Sequence, residues 1–107
     1  MPLSRNFKKT ILARVERDGK FRDALFREAI EAMLCGDIDV GKSMLRDYIH
    51  ATVGFEMLAG ATGTPVKSLM RMFGPKGNPQ AKNLFSVISY LQQEAGLHLS
   101  LRASRPS

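Results

Sequence analysis

Residues Gly36 to Ser43 read GDIDVGKS, which matches the phosphate-loop pattern G-x-x-x-x-G-K-[ST] at every fixed position. The chemistry that pattern serves is nucleotide binding, with backbone N–H groups cradling phosphate and the lysine reaching the terminal phosphoryl oxygens. Three physical arguments reject it here. A phosphate loop must leave a strand, yet the preceding REAIEAMLC has helical periodicity. Asp37 and Asp39 would set two carboxylates inside an anion cradle. No strand carrying an acidic magnesium ligand follows, and no alternation of strands and helices could build a parallel sheet. The segment reads instead as a helix stop followed by a capped helix start, with Lys42 in its exposed first turns.

Other constellations of reactive residues are sparse. His50 and His98 stand 48 positions apart, no Cys/His/Asp group has metal-ligand spacing, and Ser43, Ser68 and Ser86 have no base at a recognisable spacing. Glu28, Glu31 and Asp47 fit a solvated helix face. Neither an enzyme nor a bound metal or cofactor is expected. The single cysteine, Cys35, can form no intramolecular disulfide and suits a small buried position in a reducing cytosol.

A different chemistry suits Lys67, Ser68 and Arg71, whose side-chain types reach base edges and phosphates in a DNA major groove. They lie in FEMLAGATGTPVKSLMRMFGPKGNP, Phe55 to Pro79, which reads as two short helices joined at Gly63, the plan of a helix-turn-helix. Thr64 is placed to cap the second helix, with Pro65 at its first position. Entry of that helix N-terminus first brings Val66, Lys67 and Ser68 nearest the bases. Lys67 or Arg71 could bond guanine, Ser68 a base or phosphate, and Val66 a thymine methyl. Lys76 and Asn78 in the following loop are placed to hold phosphate. Leu69, Met72 and Phe73 turn inward.

Charge agrees with an anionic partner. The chain has a net charge of +6, with residues 1–20 summing to +4, residues 21–54 to −2 and residues 55–107 to +4. Met57 to Gln93 is a run of 37 residues without Asp or Glu that holds Lys67, Arg71, Lys76 and Lys82.

The elements that must position these residues are helices. Asn6 caps a first helix to about Arg17 with the stripe Phe7, Ile11 and Val15, ended by Asp18-Gly19. A second, from about Phe21 to Leu34, carries Phe21, Leu25, Ala29, Ala32 and Met33 and stops at Gly36. A third, capped by Asp37 or Asp39 and reaching about Val53, carries Val40, Met44, Leu45, Tyr48, Ile49 and Thr52. After the helix-turn-helix, Pro79 opens a last helix with the stripe Leu84, Phe85, Val87, Ile88 and Leu91, closed by Gly96. The length, 107 residues, fits one domain: an N-terminal helical extension over 1–36, a core over 37–96 and a tail. No apolar run approaches the roughly 20 residues that span a bilayer, so a soluble intracellular protein without a membrane partner is expected.

Leu97-His98-Leu99-Ser100-Leu101-Arg102 alternates apolar and polar residues, the period of a half-buried strand. A lone strand must pair with a second copy of the chain, pair with another protein, or stay extended and partly solvated. Dimerisation through Leu97, Leu99 and Leu101, or through Leu84, Phe85, Ile88 and Leu91, is the expectation. Residues 103–107 are expected to be disordered.

The residues A-x-x-T-G-x-P-x-x-S-L-x-R-M-x-G-x-x-G-N-P from Ala59 to Pro79, followed by NLFSVISYLQQEAG and LHLSLRA, resemble the lambda-repressor-like helix-turn-helix family, and within it the addiction-module antidote proteins. The resemblance covers about Val40 to Leu101. It implies an all-α DNA-binding domain that dimerises on palindromic operators, with a toxin protein as a possible further partner. It places Val66, Lys67, Ser68 and Arg71 on the base-reading face and Leu58, Ala59, Leu69 and Met72 in buried positions. Phe55 stands where many members carry a phosphate-clamping glutamine. The function expected is sequence-specific regulation by operator occupancy, the alternative being an antidote that sequesters a toxin and binds DNA secondarily.

Overall fold

A computed structural model describes residues 5–106, with side chains from Lys9 onward, and places six helices among them. They are α1 (Arg5–Arg17), α2 (Gly19–Leu34), α3 (Ile38–Ala51), α4 (Gly54–Thr62), α5 (Val66–Met72) and α6 (Ala81–Ala95). The all-α expectation holds. The Asn6 cap and the Phe7 position of the α1 stripe lie outside the side chains described, and Met1 to Ser4 and Ser107 lie outside the described residues.

α1, α2 and α3 pack on one another, and α3 leads into α4, which contacts both α5 and α6. Asp18 links the first two helices as a side-chain cap, its Oδ1 accepting from Phe21 N at 3.1 Å. The core runs through all six helices: Val15 of α1, Leu25, Phe26 and Ala29 of α2, Leu45, Tyr48 and Ile49 of α3, Phe55 and Leu58 of α4, Leu69 of α5, and Val87, Ile88 and Leu91 of α6, with Phe73 just beyond α5. Full burial of each large aliphatic side chain contributes about 1.5–3 kcal/mol. Phe26, which the α2 stripe omitted, is fully buried and stacks on Tyr48 at 4.8 Å between centroids. Three apolar residues assigned inward face out instead: Val40 is 53% exposed, Phe85 63%, and Cys35 sits exposed at the end of α2. Thr52 is exposed as well, its hydroxyl donating to Tyr48 O at 2.7 Å.

The expected C-terminal strand does not form; residues 97–106 carry no regular structure. Gly96 takes φ 67°, and Gly96 N and Leu97 N donate to the carbonyls of Gln93 and Gln92 at 3.3 and 3.0 Å, which closes α6 with a Schellman-type turn. Leu99 N then donates to the Gln92 side-chain Oε1 at 2.7 Å. The donors at Leu97 and Leu99 are satisfied locally, so neither needs a second strand. The alternation has another use: Leu97 and Leu99 pack against the core while His98 and Ser100 face solvent.

Tyr48 also lines a cleft of about 380 Å³ rimmed by Glu16, Arg22 and Glu94. Burial pushes its phenol above the ordinary 10.0, Asp23 adds to the rise, and Arg22 opposes it. A raised acid pKa means that the unfolded chain loses this proton first, so stability is intact below about pH 10 and falls as pH climbs further. Tyr48→Phe keeps the stack on Phe26 and flattens that loss, read as urea midpoints between about pH 8 and about pH 11.

Candidate nucleic-acid interface

α4 ends because Gly63 adopts φ 73° and ψ 15°, a left-handed conformation that a side chain with a Cβ resists. Its N–H donates to Ala59 O at 2.9 Å, the single bond of an αL cap, and Thr62 Oγ1 donates to Leu58 O at 2.8 Å. The chain then turns through Thr64 and Pro65. Pro65, not Thr64, occupies the cap position of α5, with φ −58° and ψ 147° and no side-chain cap bond; its carbonyl accepts from Leu69 N at 3.0 Å. Proline at this point fixes φ and needs no donor of its own.

α5 is held from one side. Leu69 is buried, as is Phe73 at its end, and Val66 and Met72 are partly buried against the core. On α4, Leu58 is buried in the same core and Ala59 packs partly buried against it. The opposite stripe of α5 presents Lys67, Met70 and Arg71, spaced i, i+3, i+4, all exposed. Thr64 and Ser68 lie half-buried along its border. Lys67 and Arg71 therefore share one open face, whereas Val66 turns toward the core. Phe55 is buried, in edge contact with His50 at 4.9 Å and tilted against Phe73 at 6.3 Å, so it offers no polar group to a phosphate.

The loop after α5 doubles back on the helix. Gly74 N donates to Arg71 O at 3.1 Å and Gly77 N to Gly74 O at 3.0 Å, leaving Lys76 and Asn78 exposed at the tip. Gly77 lies so close to the end of α5 that an added Cβ would meet the Arg71 carbonyl and come within 2.6 Å of the Met72 carbonyl.

Lys42 departs from expectation. It is 3% exposed, not on an open first turn, and its Nζ donates to Gly74 O at 3.0 Å and Gly77 O at 2.6 Å, with Asp39 Oδ1 at 3.5 Å. The lysine that a phosphate loop would aim at a nucleotide is aimed at two carbonyls of this protein. A signal was available: Lys42 precedes Leu45 by three positions and Ile49 by seven, which puts it on the buried stripe of α3.

The residues expected to dimerise divide. Ile88 and Leu91 are buried within the protomer; Leu84, Leu97 and Leu99 are half-buried against the core. Phe85, 63% exposed, and Leu101, 80% exposed, remain open to a partner. Phe85 borders a shallow groove with Ala61, Thr62, Lys82, Ser89 and Tyr90.

Among the described residues no group of His, Cys, Asp or Glu is arranged to hold a metal ion, and no helix is long and apolar enough to cross a membrane. Comparison with protein-family models, curated proteins and solved structures finds no match.

Proposed function

We propose that this chain is a cytoplasmic, sequence-specific DNA-binding regulator of lambda-repressor-like type that reads an operator with α5 and acts by occupying it. The observation that carries this reading is the α4–Gly63–α5 unit, whose outer stripe sets Lys67 and Arg71 on one exposed face beside Lys76, inside a 37-residue run free of carboxylates. α5 enters a major groove with Lys67 and Arg71 toward guanine edges. Ser68 and Thr64, at the border of that stripe, serve phosphate or base contact, and Lys76 and Asn78 contact the adjacent backbone. Val66, packed inward, contributes only its outer edge to a thymine methyl.

Two copies bind together, with the Phe85 side of α6 as the contact. Selection from a random duplex pool at physiological salt tests function and symmetry at once. The expected result is enrichment of a palindrome with half-sites about one helical turn apart. Recovery of unenriched sequence rejects specific readout.

The antidote reading is second and has its own observation. Leu34, Ile38 and Val40, 62%, 46% and 53% exposed, are open apolar side chains at the corner where α2 turns into α3. A toxin protein covering that corner would account for its exposure.

A further inference from the structure

A lysine excluded from water costs free energy unless its donors are matched, and Lys42 is matched by the main chain of one loop. That loop, Gly74 to Gly77, closes the carbonyl end of α5, where the peptide dipoles favour a cation. It also carries Lys76, and Asn78 follows directly. From these contacts we infer that Lys42 is a positioning residue: by holding the Gly74 and Gly77 carbonyls it sets Lys76 and Asn78 in register with α5 for phosphate contact. The contact role rests on the DNA-binding reading; the clamp itself does not.

The placement of Lys42 depends on its neighbour. At Gly41 an added Cβ would stand 2.8 Å from Ala29 O and 2.5 Å from Met33 Cγ, so α3 crosses α2 at close range and Lys42 emerges at a fixed height. The N-terminal helices thus brace the DNA-facing loop from behind. Asp39, whose side chain is 88% exposed, adds little to a pair that water screens.

Two measurements on the full chain test this. The first is hydrogen exchange at the Gly77 amide, with the Leu69 amide as an internal reference. In Lys42→Met the Gly77 amide exchanges on the order of tenfold faster while Leu69 is little changed. Equal acceleration at both amides, or none at Gly77, overturns the clamp. If Lys42→Met does not fold, the wild type decides: the Lys42 Nζ protons, held by the two carbonyls, exchange more slowly than those of the exposed Lys67, and equal rates overturn the clamp.

The second is titration of a mixed-sequence DNA duplex over a range of salt. Lys76→Ala lowers the salt slope by about one, Lys42→Met lowers it by the same amount, and the double variant is no worse than either. Additive losses overturn the positioning role. Failure of the wild type to bind any duplex removes the DNA reading and the contact role with it, while the exchange data still decide the clamp.

Discussion

Gly41→Val lowers stability by about 3 kcal/mol, because the new methyl groups must enter a helix crossing with no space for one carbon. Their first obstacle, Met33 Cγ at 2.5 Å, belongs to a flexible side chain that can swing away. The second, Ala29 O at 2.8 Å, is main chain, and moving it shifts α2 along its length. Because Ala29 and its neighbours Leu25 and Phe26 are core residues, that shift spreads into the stack of Phe26 on Tyr48. Gly60 supplies the contrast. It also lies inside a helix, yet an added Cβ there meets nothing within 4 Å, so Gly60→Ala stabilises by about 0.5–1 kcal/mol through helix propensity alone. Opposite signs in urea unfolding are the expected result; a Gly41→Val variant as stable as the wild type would mean that the two helices do not cross here.

The pattern of residues carried much of this fold and failed where one residue type hides two environments. Apolar spacing located every described helix, because a stripe repeated every three or four positions is legible whatever it packs against. It could not say how wide each stripe is. Val40 and Phe85 continue their stripes in sequence but lie at the margin, where no neighbouring helix covers them, while Phe26, one position beyond the expected stripe, faces α3. The tail shows the same limit. Alternation correctly separates Leu97 and Leu99 from His98 and Ser100, but it cannot distinguish a ladder from a segment whose donors are met by one glutamine.

The candidate site divides along similar lines. Exposure of Lys67 and Arg71 follows from their spacing against Leu69 and Met72, so that face is legible without coordinates. The support behind it is not, since Lys42 and Gly74 are 32 positions apart and nothing local links them. Residue type also misleads here, as lysine defaults to the surface and only its phase on α3 argues otherwise. The GDIDVGKS segment illustrates the point: its Gly41 and Lys42 have physical reasons to be what they are, a helix crossing and a loop clamp. Neither concerns a nucleotide.

Arg71→Ala reduces affinity for the selected operator by about 1–3 kcal/mol, roughly 5- to 150-fold, while the fold is retained. The fold survives because the side chain is exposed, and α5 stays anchored by Leu69 and Phe73 on its other side. The size of the loss separates two roles for a basic residue. A cation that only neutralises phosphate contributes equally on every sequence, so Lys76→Ala should weaken operator and random duplex alike and leave their ratio unchanged. An arginine that forks onto guanine contributes on the operator alone, so Arg71→Ala should collapse that ratio and relax selection at one base pair in each half-site. Competition titrations at one fixed salt concentration distinguish them. Equal losses on both duplexes would move Arg71 to the phosphate backbone and leave Lys67 as the reader of the sequence.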